Sequence, residues 1–408
     1  MKIRGEDVLL QNENKKKIGI YLGVEPCGGG SFQYVQSVLF ALNSLPSEQF
    51  EVTTFFLNDL WLKYLKKFTF KNKKIYSQRQ LMDLGGWLAF KLATLFKIDI
   101  WKYKGIIAKI SKFSKQFDAE KMDLIIFPSQ VYFPAMVETK SVAVIHDLMH
   151  RYESFPESSS SLEYARREVL YISILNAATA IFVDSRLGVE QVIESYGEQF
   201  VDKLVVMPFT PPQYLFEGKD DELSENVILP DKFVFYPAQF WQHKNHKNLI
   251  LAAYKLINKG IDIHLVFVGS KKNGYQEVKS LIEEYNLETN IHIIGYVSDA
   301  LMRDLYRAAR AMVMPSFYGP TNIPPLEGMA MGCPVAVSNK YAMPWQVGDG
   351  GLTFDPDNVE EIATVIEKLW IDDDLCENLS VKGKKRAKYF SQEEFNARFN
   401  KAISRLFS

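Results

Sequence analysis

At 408 residues, 47% hydrophobic and 24% charged with a formal net charge of −1, the chain is long enough for two domains with full cores and has no global field for nucleic acid. Cys27, Cys333 and Cys376 fit neither a disulfide framework nor a spaced metal site, and they suit a reducing compartment. The chain is polar through Lys17, so no signal peptide is expected, and no uncharged apolar run reaches the roughly 18 residues of a membrane-spanning helix. A cytoplasmic protein is the expectation.

In chain order, short apolar runs alternate with amphipathic helical stretches. Residues 18–24, 52–57, 124–127, 142–145, 180–183 and 204–207 predict the strands of a first half. Residues 233–236, 264–268, 291–294, 311–314 and 334–337 predict those of a second. The runs are uninterrupted rather than alternating, as when helices cover both faces of a sheet. Strand–helix repetition of this kind implies parallel, doubly wound sheets. Two blocks meet around residues 208–230, where Pro211-Pro212 and the acidic polar stretch 220–226 read as a linker. The expected fold is α/β, with two Rossmann-like domains (1–212 and 213–391) facing a central cleft, the default place for a site.

The first strand runs into Pro26-Cys27-Gly28-Gly29-Gly30-Ser31, and Tyr34, Val35, Val38, Leu39 and Leu42 then follow at helical spacing. The glycines let backbone approach a ligand and leave amides free, yet this is not the dinucleotide fingerprint and a bare tight turn reads equally well. Between residues 60 and 115, 14 Lys or Arg meet 2 acidic residues, a balance of +12, with Trp61, Phe68, Phe70, Trp87, Phe90, Phe96 and Phe113 among the interleaved aromatics. One reading is a solvated helical insertion with its own core contacts. The other is a surface for anionic membrane, with Lys66, Lys67, Lys71, Lys73 and Lys74 as the expected lipid contacts. Nucleic acid is not expected, because the rest of the chain is not basic.

His146 and Asp147 follow the strand at 142–145, on the C-terminal edge where α/β sites lie, although a lone His there also serves as a structural group. Residues 235–248 carry Gln239, His243, Lys244 and His246. They read either as a basic loop capping the next helix or as cations beside a departing diphosphate. The two histidines have poor ligand spacing, and no metal is expected. Residues 315–335 are the most informative. Pro324-Pro325 suit a helix start, Asn322 suits its N-cap, and Glu327 falls in the first turn. The amides and dipole of such a turn favour an anion, and the carboxylate can accept two hydroxyl hydrogens, as a ribose would offer. A nucleoside diphosphate fits; so does an ordinary buried strand–turn–helix.

This last stretch resembles the donor-site signature of retaining glycosyltransferases of family four, whose two-Rossmann architecture is called GT-B. Their signature is a glutamate, then Gly-Phe-Gly-Leu-Pro-Pro-Leu, then a second glutamate. Ile323-Pro324-Pro325-Leu326-Glu327 matches its second half, while Gly319, followed by Pro320, Thr321 and Asn322, stands where the first glutamate belongs. The resemblance implies that Glu327 holds the donor ribose. It places Thr321, Asn322, Ile323 and Lys244 around the diphosphate, with Gln239 where an arginine is common. Gly29 and Gly30 would lie against donor and acceptor, His146 beside the sugar, and the segment of Tyr296 along the base. The last helix, 392–408, is implied to cross back onto the first domain.

The combined expectation is a metal-independent, retaining glycosyltransferase without a cofactor. It would move a sugar from a nucleotide-diphosphate sugar to a glycan or lipid-linked glycan acceptor in cell-surface polysaccharide synthesis, peripheral at the inner face of the membrane. With no carboxylate nucleophile evident, front-face displacement is expected. Two other readings use the same residues. One is a nucleotide-sugar epimerase, against which the Pro-Pro-Leu-Glu turn speaks. The other is a non-catalytic nucleotide-sugar or glycan-binding subunit, suggested by the missing glutamate and arginine.

Overall fold

A computed structural model of the chain describes residues 15–26, 29–70, 72–75, 84–96, 98–156, 160–217 and 227–408. Gly28, Lys71 and the expected linker stretch 220–226 lie outside them. The first sheet contains β1 (Lys16–Leu22), β2 (Phe50–Phe56), β3 (Asn72–Ile75), β4 (Leu124–Ile126), β5 (Ser141–Ile145), β6 (Ala180–Val183) and β7 (Leu204–Val206), in the order β3-β2-β1-β4-β5-β6-β7. The second contains β8 (Val234–Pro237), β9 (Leu265–Val268), β10 (Ile291–Gly295), β11 (Ala311–Met314), β12 (Val335–Ser338) and β13 (Gly351–Phe354), in the order β10-β9-β8-β11-β12-β13.

Every pairing is parallel. Crossover helices therefore cover both sheet faces, which is why β5, β6, β8, β9, β11 and β12 are buried along their whole length. Strand order reverses at β1/β4 and at β8/β11, and α/β sheets bind ligands at such switch points. β3 and β13 are the strands that the sequence pattern does not predict. Both are edges, paired on one side, and Asn-Lys-Lys-Ile and Gly-Leu-Thr-Phe lack the apolar run of a central strand.

The helix Gly30–Asn43 lays Tyr34, Val35, Val38, Leu39 and Leu42 against the first sheet, as its spacing predicts. Phe395, Phe399 and Ile403 of the final helix, Gln392–Phe407, join that same core. Gln392 Nε2 also donates to the Ser37 carbonyl at 2.9 Å, so the end of the chain packs on the first domain.

The basic-aromatic segment differs from the expectation in detail. Trp61, Phe68, Phe70, Phe90 and Phe113 are buried. Lys67 donates to Gln36 Oε1 at 3.2 Å, Lys73 to the Leu65 carbonyl at 3.2 Å, and Lys74 pairs with Glu120. The aromatics between the lysines were needed for the core, and these lysines tie that core down. What stays exposed lies further along. Leu88, Leu92, Leu95 and Phe96 of the helix Leu84–Phe96 stand out, as do Ile98 and Tyr103 in the connection that follows and Ile106 and Ile110 of the helix Lys104–Ile110. Among the described residues, no helix is long and apolar enough to cross a membrane.

Candidate functional site

The C-terminal strand edges of the two sheets enclose a cleft of about 730 Å³. Gly29, Gly30, His146, Gln239, Lys244, Tyr296, Thr321, Asn322, Ile323 and Glu327 all line it, so the fold brings every sequence-predicted site residue to one place.

Glu327 lies in the helix Ile323–Met331, buried at 7% exposure. Its Oε1 accepts the Tyr214 hydroxyl at 2.7 Å and its Oε2 the Tyr306 hydroxyl at 2.6 Å. Burial pushes this carboxyl upward in pKa, and the two tyrosine hydrogen bonds pull it back. Each oxygen keeps one lone-pair direction for another donor. Tyr214 sits in a short turn, Gln213–Phe216, just past Pro211-Pro212; no periodic signal singles it out in the sequence.

Lys244 ends a single turn, Gln242–Lys244, after which Asn245 takes a left-handed conformation (φ 58°) and caps the next helix through the Asn248 amide. The Lys244 ammonium donates to Asn322 Oδ1 at 3.0 Å. Burial lowers its pKa to about 8, with Asp147 opposing the shift, so the amine titrates within reach of physiological pH. Gln239 is exposed, and its Oε1 accepts the Trp241 indole N–H at 2.9 Å, leaving the NH₂ group to offer an anion. His246 does not help Lys244. It is buried against Phe240 and Tyr236, and desolvation drops its pKa to about 3, so the ring is neutral. His243 does line the cleft.

The turn before the Ile323–Met331 helix is more committed than the sequence suggests. Asn322 occupies the N-cap without a side-chain cap, because its carboxamide is spent on Lys244. Its backbone N–H donates to Gln346 Oε1 at 3.0 Å, and Gln346 Nε2 donates back to the Asn322 carbonyl at 2.6 Å. The Thr321 amide donates to Asp184 Oδ2 at 2.9 Å. Pro324 and Pro325 have no amide, so Ile323 supplies the one that remains for an anion at the helix dipole. Gly319 has φ 131°, and a Cβ there would sit 2.8 Å from Asn322 Oδ1. A side chain at this position is strained by the backbone and displaces the Asn322 carboxamide.

On the first-domain side, His146 packs between Tyr34 and Phe209, with ring centroids at 4.7 and 5.4 Å. Its Nε2 is buried and without a hydrogen-bond partner, and desolvation lowers its pKa to about 4. The imidazole is therefore neutral at physiological pH, and the residue lines the cleft. Asp147 is braced, accepting the Met149 amide at 2.9 Å and Arg167 Nη1 at 3.1 Å. Tyr296 stands at the cleft mouth, 75% exposed, beyond Gly295 at the end of β10.

Residues 219–386 match the family described as glycosyl transferases group 1. Over 163 residues, 40% of this chain, the sequence is 35% identical to an O-antigen chain mannosyltransferase B of Escherichia coli, 42% of whose length is covered. Over 272 residues, 62% of this chain, it is 24% identical to a serotype-specific mannosyltransferase of Escherichia coli, 32% of which is covered. The chain thus spans less than half the length of these curated relatives. Among solved structures, Anabaena HepE in complex with UDP and glucose superposes with a TM-score of 0.73 at 16% identity, covering 95% of this chain and 99% of that one, which is a likeness of fold.

Proposed function

From the match of residues 219–386 to the glycosyl transferases group 1 family and the GT-B fold of its two α/β domains, we propose that the chain moves a sugar from a nucleoside-diphosphate sugar to a glycan or lipid-linked glycan, with retention and without a metal ion. The observation that carries this reading is the convergence of Glu327, Lys244 and His146 on one cleft. The ribose hydroxyls take the lone pairs that Tyr214 and Tyr306 leave on Glu327. Lys244, the Ile323 amide and the Gln239 NH₂ meet the diphosphate, where charge grows as the nucleotide departs. His146 lines the cleft and brings a neutral imidazole beside the sugar.

Of the cleft carboxylates, Asp147 is held by Arg167 and Glu327 by two tyrosines, while Asp299 begins its helix beside Tyr296 on the base side of the cleft, so we assign none of them as a nucleophile. The step is therefore a front-face displacement. The bond from the sugar anomeric carbon to the phosphate oxygen breaks, the acceptor oxygen bonds to that carbon on the same face, and the departing phosphate oxygen takes the acceptor proton. The mannosyltransferase relatives make a mannosyl donor the first to try.

The test is incubation with a panel of nucleotide sugars headed by GDP-mannose. Slow release of nucleoside diphosphate is expected without acceptor, at the same rate with a chelator, and product formed with acceptor keeps the donor's anomeric configuration by NMR. Donor binding without turnover would favour a binding subunit instead, and inversion at a sugar stereocentre without acceptor an epimerase.

We also propose that the exposed face of residues 88–110 rests on an anionic lipid surface, where a lipid-linked acceptor would be found. Its apolar residues stand among exposed Lys91, Lys102 and Lys109, and Asp99, the acidic residue of this stretch, is paired with Lys102 at 2.6 Å. The helix Leu84–Phe96 packs on the helix Ser161–Ala177, whose Arg167 lines the cleft, so such a surface adjoins the first-domain side of the site.

A further inference from the structure

The loop that lost the first signature glutamate has a carboxylate after all, and it comes from the other domain. Asp184 follows β6 in the first domain and is 2% exposed. Its Oδ2 accepts the Thr321 amide at 2.9 Å and also the Thr321 hydroxyl, while its Oδ1 accepts the Ser185 hydroxyl at 3.0 Å. All three donors are neutral, so burial dominates and lifts this carboxyl to about 6. A buried carboxylate without a cation is an expensive way to hold a loop, and it is kept where hydrogen bonds to it set something else.

What it sets is one residue away. Asn322 is gripped on its backbone by Gln346, at 3.0 and 2.6 Å, and its side chain holds the Lys244 ammonium at 3.0 Å. Gln346 fixes the two peptides that flank Asn322, and Asp184 fixes the preceding Pro320–Thr321 peptide together with the Thr321 hydroxyl. With planar peptides, those grips together set the 320–323 backbone from which the Asn322 carboxamide reaches Lys244. A side chain at Gly319 would be strained by its backbone conformation and would push aside the Asn322 carboxamide that holds Lys244. A second bond crosses the domains beside the first: the Leu148 amide donates to the Tyr318 hydroxyl at 3.0 Å. Parting the domains breaks both contacts at once.

We propose that Asp184 is a cross-domain positioning residue: from the opposite domain it holds the Thr321–Asn322 backbone, and so sets Asn322 and Lys244 for the donor diphosphate when the cleft is closed. The inference rests on the reading of Lys244 as a diphosphate ligand.

The experiment is a double-mutant cycle on the full chain, reading GDP and UDP affinity by calorimetry. Asp184→Asn should weaken binding on the order of tenfold in the wild-type background, the usual effect of losing a hydrogen bond to a charged group. In a Lys244→Ala background the same change should have an effect of about twofold or less, because the group it positions is gone. Thr321→Val should show the same dependence on Lys244, and it serves where Asp184→Asn does not fold. Equal weakening in both backgrounds, or none in either, overturns the positioning role. A wild type that binds neither nucleotide overturns the diphosphate reading itself, and this proposal with it.

Discussion

Glu327 and Lys244 each make a separable prediction at the scale of a single side chain. Glu327→Ala removes the acceptor of the ribose hydroxyls, and hydrogen bonds to a charged group contribute roughly 1.5–3 kcal/mol each, so nucleotide affinity should fall at least tenfold. Because the change also leaves the buried Tyr306 hydroxyl with only the Pro324 carbonyl at 3.4 Å, Glu327→Gln is the companion variant, expected to weaken binding with a smaller loss of stability. Unchanged affinity in calorimetry would leave Glu327 as a brace between Tyr214 and Tyr306. Lys244 has a pKa of about 8, lowered by burial, so the ammonium is present at neutral pH and is lost as pH rises through that value. A bound diphosphate favours the protonated form. Donor affinity should therefore be level below about pH 7 and fall by up to tenfold per unit above about pH 8, until the bound-state pKa is passed. Lys244→Ala should abolish that alkaline limb and reduce turnover on the order of 10²-fold, equally with and without chelator. A limb that persists in the variant would assign the titration to another group.

At the scale of elements, the loop between β11 and the Ile323–Met331 helix carries a prediction that runs against the family signature. Restoring the missing residue with Gly319→Glu should not raise activity. At φ 131° a side chain is strained, and its Cβ meets the Asn322 carboxamide that holds Lys244. Left-handed or rarer backbone for a non-glycine residue costs about 1–3 kcal/mol, so both Gly319→Ala and Gly319→Glu should lower stability by that amount in chemical denaturation and weaken nucleotide binding together. Stability unchanged in Gly319→Ala would mean that the loop relaxes at no expense. Elements also mark where periodicity fails as a guide. A central strand covered by helices must be apolar on both faces and announces itself, whereas an edge strand such as β3 is paired on one side and can be written Asn-Lys-Lys-Ile.

For the whole molecule, the lipid face predicts a separation of functions. Surface attraction is about 1 kcal/mol per nearby Lys or Arg and is screened with a Debye length of about 8 Å at physiological salt. The protein should sediment with anionic vesicles at low salt and be released as salt rises. The combined change Leu92→Glu, Leu95→Glu and Ile106→Glu should release it at all salt concentrations while nucleotide affinity stays as in the wild type. By contrast, Gln at Lys67, Lys73 and Lys74 should release little, since those lysines already bond Gln36, Leu65 and Glu120. A wild type that remains in the supernatant with anionic lipid at low salt would remove the membrane from the account.

The sequence alone determined the two-sheet α/β architecture, because unbroken apolar runs between helical stretches have one stable solution, a parallel sheet with both faces covered. It also put forward the candidate site, through the places of the glycines after β1, His146 after β5, Lys244 after β8 and Glu327 after β11 at C-terminal strand ends together with their resemblance to a glycosyltransferase signature. Local pattern was enough for their positions, because each follows from the strand beside it; their roles came from the resemblance. The tertiary structure decided what each group is bonded to. Tyr214 meeting Glu327, Gln346 taking the Asn322 amide and Asp184 reaching Thr321 are contacts between residues 113, 24 and 137 positions apart. It also decided that Trp61 and Phe113 are core while Leu95 and Ile106 face outward. Periodicity fixes which face of an element is apolar; whether that face is buried depends on what the rest of the chain lays against it, and no local rule carries that information.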